Sequence, residues 1–594
     1  MDNIKPQIRW VNQNEALIKD AAGWMHFRNP HRLIVAEKLD EVLPALREVE
    51  RLLRENQWYA AGFLSYEAAS AFDSALRTRA LTAEHSGRGF PYLWFGLYPQ
   101  PRRVALPKPA GPQESLEWQS TICRETYNAA IEEIKEHIAE GRTYQVNYTM
   151  RLQSSFTGDP WKFFVHLAQN QNRHGAYIDT GRHVICSASP ELFFQLDGDT
   201  ITCRPMKGTT SRGRTTVEDQ AQSEWLRHSA KNRAENVMIV DMIRNDLGRI
   251  ANIGSVSVPQ LFEAERYPTL WQMTSTVTAQ TDASLTEVFA ALFPSASITG
   301  APKVSTMKII GDLESTPRKI YTGSIGYISP QGQATFNVAI RTALIDREHQ
   351  RAEYGVGGGI VWDSTSADEY SEALLKAQVL TQHPHLFSLL ETILWTPEDG
   401  FFLRQKHIER VLDSADYFNI RLRKDTLEEY FNQLTSGFHG PQRVRLLVNQ
   451  DGELSAEYRD FYALVDNGPL KAGLSREPVN SKNVFLFHKT TQRDVYESAR
   501  KGFEGLDDVL LYNEKGELTE FTIGNLVVEL DGQYLTPPIS CGVLPGTFRA
   551  HLLETGKIQE RTIPLEMLSH CTQIYRVNSI RGLQAVEIEN GSTV

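Results

Sequence analysis

The residues best suited to chemistry are one lysine and four glutamates. Lys207 stands in Arg204-Pro205-Met206-Lys207-Gly208-Thr209-Thr210, between a proline turn and Gly-Thr. It follows the alternating run Phe193-Phe194-Gln195-Leu196 and Thr200-Ile201-Thr202-Cys203, which reads as a hairpin turned at Asp197-Gly198. Lys207 therefore leaves a strand end and can point into a cleft. An amine attacks only when neutral. From a reference pKa near 10.4, reaching the free amine at pH 7 costs roughly 4.6 kcal/mol, which a partly apolar cleft would lower. Glu191, in Ser189-Pro190-Glu191, opens the first strand of that hairpin. Glu369 and Glu372 fall at i, i+3 on a helix over 367–380, where two exposed like charges repel by a few tenths of a kcal/mol. They read either as a solvated acidic face or, with Glu235, as ligands of a hard divalent cation. Oxygen-only donors select Mg²⁺ over zinc.

The surrounding pattern supplies the elements that hold these groups. A helix is expected over 125–140, with Tyr127, Ile131, Ile134 and Ile138 on one stripe, ending at Gly141. A strand follows over 144–150. The helix over 231–250 buries Val237, Val240, Ile243, Leu247 and Ile250 and carries Glu235 off that stripe. Thr299 begins a turn into another helix, and strands are expected over 321–328 and 336–341. Gly355-Val356-Gly357-Gly358-Gly359 is a strand edge almost without side chains, which lets a ligand approach the backbone. Upstream, 43–56 reads as an amphipathic helix, 58–66 as a buried strand and 101–112, with four prolines, as a linker. A break at 381–385 precedes a second pattern that begins at 389–394.

At 594 residues, two to four domains are expected. The composition, 41% hydrophobic and 23% charged, is that of a soluble globular protein. The net charge, 62 − 73 = −11, argues against nucleic acid as a partner. No apolar run reaches the length of a membrane span, and Met1-Asp2-Asn3-Ile4-Lys5 lacks a signal core. Five scattered cysteines without a CxxC pair point to a reducing, cytoplasmic setting and against a thiolate metal site.

From about 115 to 380 the ordered motifs resemble the chorismate-utilising enzymes. They are Tyr144-Gln145-Val146-Asn147, Ser189-Pro190-Glu191, Pro205-Met206-Lys207-Gly208-Thr209, Ala234-Glu235-Asn236, Thr299-Gly300-Ala301-Pro302-Lys303, Ile340-Arg341-Thr342 and Gly357-Gly358-Gly359-Ile360. The resemblance implies an α/β (α+β) fold with two large antiparallel sheets around a cleft, and a magnesium ion on the ring carboxylate of chorismate. Within the family, anthranilate synthases carry alanine at the position of Lys207 and aminodeoxychorismate synthases carry lysine. Isochorismate and salicylate synthases place a water-activating lysine at the position of Gln145. The implied reaction is amination of chorismate at C4, with Lys207 as nucleophile at C2 and Glu191 as general acid. Arg341 and Tyr321 match residues on the pyruvyl carboxylate, Thr299 and Gly359 positions around the carboxylates, Glu235 and Glu372 the direct metal ligands, and Glu369 an outer one. Gln272 departs from the pattern, because many relatives carry histidine there. No cysteine lies in a Gly-x-Cys-x-Gly elbow, so ammonia is expected from a separate class I glutamine amidotransferase subunit.

From about 385 to 594 the motifs resemble the fold-type IV pyridoxal-phosphate enzymes. They include His407-Ile408-Glu409-Arg410, His488-Lys489-Thr490-Thr491, Leu518-Thr519-Glu520-Phe521-Thr522-Ile523-Gly524-Asn525 and Gly542-Val543-Leu544-Pro545-Gly546-Thr547. The resemblance implies two α/β subdomains, a Schiff-base lysine at Lys489, a pyridinium partner at Glu520, and phosphate contacts from Arg410, Ile523, Gly546 and Thr547, the last opening a helix over 548–553. It also implies a homodimer through this half. Domains are therefore expected over 1–110 and 115–380, together the chorismate fold, and over 385–594. The fusion points to a lyase that converts the aminated product to 4-aminobenzoate, the folate precursor. An anthranilate-forming domain joined to an aminotransferase is the alternative, as is a C-terminal half serving only as scaffold.

Overall fold

The computed structural model describes residues 8, 10–81, 89–107, 109, 116–169, 173–380, 387–462 and 468–589. The sequence features at 1–5 and 381–385, and part of the proline stretch 101–112, lie outside the described residues. The chain forms two compact units, Met1–Ser211 with Ser223–Pro384, and Arg212–Gln222 with His385–Val594.

The first unit is built on two mixed-length antiparallel sheets. One has the order Gly300–Ala301, Gln145–Ser155, Arg351–Ile360, Thr342–Asp346, His183–Ser187, Ala176–Asp179, Ala16–Asp20, Gly23–Phe27, Arg102–Val104. The other runs Met206–Ser211, Leu270–Gln280, Thr200–Arg204, Leu192–Asp197, Ala334–Val338, Ser324–Ile328, Tyr59–Leu64, Leu93–Tyr98, Arg32–Ala36. Phe27, Ile178 and Ile185 of the first sheet pack on Phe63, Trp94 and Ile325 of the second. Helices cover the outer faces: Val42–Asn56, Ala230–Gly248 and Leu285–Leu292 on the second sheet, and Arg124–Ala139, Pro160–Leu167 and Ser366–Ala377 on the first. With both faces covered, strands such as Leu93–Tyr98 are buried throughout and do not alternate.

Three expectations shift. The hairpin closes on Gly198-Asp199, one residue later than expected, because Asp197 pairs with Thr200. The helix Ala230–Gly248 buries Asn236, Ile239, Val240, Ile243, Asp246 and Leu247, while Val237 is exposed. Its inner face is partly polar: Ser275 donates to Asn236 (2.5 Å) and Lys303 to Asp246 (2.8 Å), so counting apolar residues misplaces the stripe. Tyr321 and Arg341 lie outside the strands expected to hold them; Thr322 and Arg341 take left-handed φ of 61° and 51°.

The second unit has a four-stranded sheet (Gly400–Phe401, Leu389–Thr396, Gln442–Val448, Leu454–Asp460) packed on helices Arg404–Tyr417 and Lys424–Leu434. Its larger sheet is mixed, with Leu470–Leu474 parallel to both Asp508–Tyr512 and Gly582–Ile588. Among the described residues no helix is long and apolar enough to cross a membrane.

A buried ionic knot ties the first unit together. Glu314 accepts from Arg318 Nε (3.0 Å) and Nη2 (2.6 Å), Arg151 Nη2 (3.1 Å), and the Thr149 amide (3.0 Å) and hydroxyl (2.7 Å). Arg318 also donates to the carbonyls of Asn147 (2.7 Å) and Ile298 (3.0 Å). Removing one partner strands the other charges in a dry interior, which typically destabilises by about 3–5 kcal/mol. Glu314→Gln is therefore expected to lower the unfolding free energy of the first unit by that amount, read as a lower urea midpoint. Tryptophan fluorescence reports on that unit, since Trp395 is the one tryptophan after residue 385.

Candidate active sites

Lys207 is aimed by a β-bulge. The strand Met206–Ser211 pairs with Leu270–Gln280, Met206 opposite Thr274 and Thr209 opposite Gln272, so Lys207 and Gly208 share the space opposite Met273. Gly208 has φ +95°, and a Cβ there would come within 3.0 Å of Asn232. The bulge is pinned from both sides. Gln272 Nε2 donates to the Gly208 carbonyl (2.9 Å), the Thr209 hydroxyl donates to Gln272 Oε1 (3.2 Å), and Asn236 Nδ2 donates to the Lys207 carbonyl (3.4 Å). The residue standing where relatives have histidine is thus a two-ended backbone clamp. The sequence carried no signal for this; it needs the cross-strand register.

A cavity of about 390 Å³ opens at the bulge and gathers Lys207, Glu191, Arg341, Tyr321, Gly359, Glu235, Glu369 and Glu372. Burial lowers the Lys207 pKa, against the opposing pull of Glu235 and Glu191. Burial pushes Glu191 up to about 7, although Ser297, Lys207 and the Met206 amide favour its charged form. The two shifts move the amine toward its neutral form and the carboxyl group toward its protonated form in one chamber. Gly359 leaves the chamber open: a Cβ there would lie 3.1 Å from Lys207 Nζ and collide with Gln145. Gly355 likewise makes room for the Tyr321 ring. Thr299 sits behind the wall. It is fully buried, and its hydroxyl donates to the carbonyls of Ser295 (3.2 Å) and Ala296 (3.3 Å), while Ser297 and Ile298 line the cavity.

Several buried polar atoms of this cavity have no partner in the protein: both amide atoms of Gln145, Arg341 Nη1 and the Tyr354 hydroxyl. Such groups are expensive to bury unsatisfied, so their concentration marks a polar ligand site. Gln145 and Tyr354 were not assigned binding roles from sequence, because nothing local distinguishes them from core residues.

Ser364 donates to Glu369 (2.6 Å), and Lys376 Nζ lies 2.8 Å from Glu372 and donates to the Gly357 carbonyl (2.9 Å). Burial raises Glu235 and Glu369, whereas Lys376 lowers Glu372. Among the described residues no three acidic, histidine or cysteine side chains close into a metal-holding cluster. The donor set nevertheless suits a hard cation: it is all oxygen, and burial outweighs the nearby lysines in raising two of its carboxylates.

The second unit holds a cavity of about 570 Å³ with Lys489, Glu520, Arg410, Ile523, Gly546 and Thr547 on its wall. Burial, then Arg410, lowers Lys489 to about 8. Glu520 is on the short hairpin Leu518–Phe521 and Gly524–Leu530, opposite Asn525. It accepts from Tyr496 Oη (2.8 Å), Asn525 Nδ2 (2.9 Å) and the Leu544 amide (3.2 Å), and burial raises it to about 7. Gly546 caps the helix Thr547–Glu554 and leaves no room for a Cβ against Asn525. That helix start, one residue earlier than expected, offers free N–H groups to an anion. Arg410 is held on Glu391 by two hydrogen bonds (2.8 and 2.6 Å) and donates to the Pro545 carbonyl (3.1 Å). Burial alone would raise Glu391, yet Arg410 and His407 hold it at about 2. His407, kept neutral by burial, bridges Glu391 (2.6 Å) and the Thr547 hydroxyl (3.2 Å). Ile523, half-exposed, contributes from the hairpin turn.

Residues 100–382 match the family of chorismate binding enzymes, and residues 388–588 match the amino-transferases of class IV, so one chain joins these two domains. Aminodeoxychorismate synthase component 1 of Escherichia coli K12 is 41% identical over 272 residues, 45% of this chain and 60% of that protein. The Bacillus subtilis protein of the same name is 38% identical over 269 residues, 45% of this chain and 57% of its own. The chain thus spans about three-fifths of the curated relatives it matches. Among solved structures, anthranilate synthase component I of Streptococcus pneumoniae TIGR4 superposes with a TM-score of 0.53 over 64% of this chain and 95% of its own, at 23% identity, which establishes the shared fold.

Two outcomes follow from the geometry. Gly208→Ala, forced to hold φ +95° and press on Asn232, is expected to lower turnover at the Lys207 site about tenfold or more. The check is steady-state kinetics beside an unchanged circular dichroism spectrum. Because burial lowers Lys489 to about 8, its neutral fraction climbs most steeply through that pH and levels only well above it. The rate of imine formation with added pyridoxal phosphate, followed by absorbance, should rise over the same range.

Proposed function

We propose that the chain makes 4-aminobenzoate from chorismate in two steps, amination in the first unit and pyruvate elimination in the second. The observation that carries the reading is the convergence of two buried groups, the amine of Lys207 and the carboxyl of Glu191, on a cavity with unpartnered polar atoms of Arg341, Gln145 and Tyr354.

In the first step Lys207 Nζ bonds to ring C2, the double bonds shift, and the C4 hydroxyl leaves as water with the proton of Glu191. Ammonia then adds at C4, the double bonds shift back, and the C2–Nζ bond breaks to return Lys207. Arg341 offers a fixed, always-charged guanidinium to a carboxylate, and Tyr321 lines the same cavity. Gln145 is neutral and cannot deprotonate water, so attack by water at C2 has no base. Glu235, Glu369 and Glu372 would hold Mg²⁺, whose charge would offset a substrate carboxylate. The likeness to component 1 relatives supports a separate glutamine-hydrolysing subunit as ammonia source.

In the second unit the residues fit pyridoxal 5'-phosphate, which supplies an electron sink when bound. Lys489 would attach it through its amine and would then move a proton at the aminated end of the ring. Glu520, oriented by Tyr496 and Asn525, would pair with its pyridinium nitrogen. Arg410 and the helix start at Thr547 would hold its phosphate. Loss of pyruvate makes the ring aromatic, which drives the step. A cytoplasmic homodimer joined through the second unit completes the proposal.

The test is the full chain with chorismate, ammonium and Mg²⁺, with and without pyridoxal phosphate, its products identified by mass. Aminodeoxychorismate alone is expected without the cofactor, and 4-aminobenzoate with pyruvate when it is present. An ortho-aminated product would overturn the reading. Lys207→Ala should abolish the first step and spare the second, and Lys489→Ala the reverse. As pH rises through about 7, Glu191 loses its proton, so the first step should slow above that point. Glu191→Gln should lower kcat about 10²–10⁴-fold.

A further inference from the structure

We infer that Arg212-Gly213-Arg214 is a positioning clasp for Lys489, holding the peptide that bears it through the imidazole of His488. The inference goes beyond the two-step reading and rests on it only for the role of Lys489.

The stretch Arg212–Gln222 follows the strand Met206–Ser211 directly in the chain and lies within the residues matched to chorismate binding enzymes, yet it packs with the second unit. It is folded back on itself. Asp219 accepts from Arg212 Nε (2.6 Å) and from the Gly213 amide (3.0 Å), and Glu218 accepts from Arg214 Nε (2.9 Å). Gly213 permits the closeness, since a Cβ there would stand 2.1 Å from the Asp219 nitrogen. The folded stretch grips the end of the helix Arg404–Tyr417. Arg212 Nη2 donates to the Tyr417 carbonyl (2.8 Å), its guanidinium lies 4.4 Å from the centre of the Tyr417 ring, and Tyr417 Oη donates to the Gly213 carbonyl (2.7 Å). Arg214 Nη1 donates to the carbonyls of Ser481 and Ser540 (both 3.2 Å).

The next carbonyl along, that of Arg214, meets His488 Nε2 at 3.1 Å. A carbonyl only accepts, so Nε2 carries the proton. Burial lowers His488 to about 4, so the ring is neutral near pH 7 and has no second proton. Nδ1 must therefore accept, and the Ser414 hydroxyl at 3.0 Å is placed to donate. The Tyr417 ring lies 4.3 Å from the imidazole and the Phe418 ring 5.0 Å, centre to centre. One tautomer and one ring orientation are thereby fixed at the residue before Lys489. On the other side, the Lys489 carbonyl accepts from the Leu390 amide (2.9 Å), and Thr491 exchanges two hydrogen bonds with Ser388 (2.9 Å each). Among the described residues His488 is not part of the cavity wall, so its part is to set the direction in which Lys489 leaves the backbone. The acidity of Lys489 is set elsewhere, by burial and by Arg410, Glu391, Arg493 and Glu520, none of them in the clasp. Loosening the clasp therefore changes where the amine points and leaves its protonation alone.

The test uses the full chain and two readouts. The first is hydrogen exchange of the segment 488–491 without cofactor. Asp219→Ala frees Arg212 and Gly213; His488→Phe keeps a ring against Tyr417 and Phe418 but loses both hydrogen bonds. Each should speed that exchange about tenfold. The second is the rate of imine formation with added pyridoxal phosphate as a function of pH. In both variants the plateau should fall about tenfold while the midpoint stays at the wild-type position. His488→Gln, whose amide still donates to the Arg214 carbonyl, should recover part of the loss. Unchanged exchange, an unchanged plateau or a moved midpoint would overturn the clasp. If the wild-type chain and Lys489→Ala take up cofactor alike, the reading of Lys489 falls, and hydrogen exchange by itself decides the clasp.

Discussion

The chemistry of the first unit depends on one irregularity, two residues set against one where Lys207 and Gly208 bulge from their strand. A regular ladder would fix the lysine in the alternation of its neighbours. The extra residue re-aims it, and the left-handed Gly208 allows the chain to make the turn. Such a departure persists only if its surroundings over-determine it. Gln272 and Asn236 do this by bonding the carbonyls of Gly208 and Lys207.

The floor of the same cavity rests on a second buried polar device. Arg318 satisfies the carbonyls of Asn147 and Ile298, and both residues line the site. Arg151 lies over the Tyr321 ring at 5.4 Å and shares Glu314 with Arg318. The ionic knot is thus weak evidence for net stability but strong evidence for fixed geometry. It holds the cavity walls in place while Arg341 and Gln145 keep polar atoms without partners. The contrast is economical: the Glu314 carboxylate and the Arg318 guanidinium of the support layer are engaged, and polar atoms of the ligand layer are left without partners.

The two units solve the same electrostatic problem in different frames. Each faces a lysine whose amine is made neutral more readily by burial toward a glutamate whose proton is held more firmly by burial. Low local polarity moves the two groups in opposite directions, since it disfavours whichever form is charged. Around them, fixed guanidinium groups that cannot lose their charge supply anion recognition without disturbing this balance.

Much of this was legible in the amino-acid order. Chain composition, the pattern of strands and helices, the glycine-rich edge at 355–359 and the placing of Lys207 and Glu191 at strand ends are local features, so spacing and residue type reveal them, whereas Lys489 and Glu520 stand out only through the likeness to a known family. The likeness of the two halves to known families gave the fold class and the reaction type. Other features were not legible because they arise between segments far apart in the chain. The clamp by Gln272 needs the register of Met206–Ser211 on Leu270–Gln280. The inward turn of Asn236 and Asp246 needs Ser275 and Lys303 to receive them. The retreat of Thr299 behind Ser297 and Ile298 and the empty hydrogen-bonding capacity of Gln145 and Tyr354 likewise depend on which side chains meet. Sequence by itself determined which groups were available; only the tertiary structure decided which were satisfied and which were left facing a cavity, because hydrogen bonding and desolvation are set by neighbours in space.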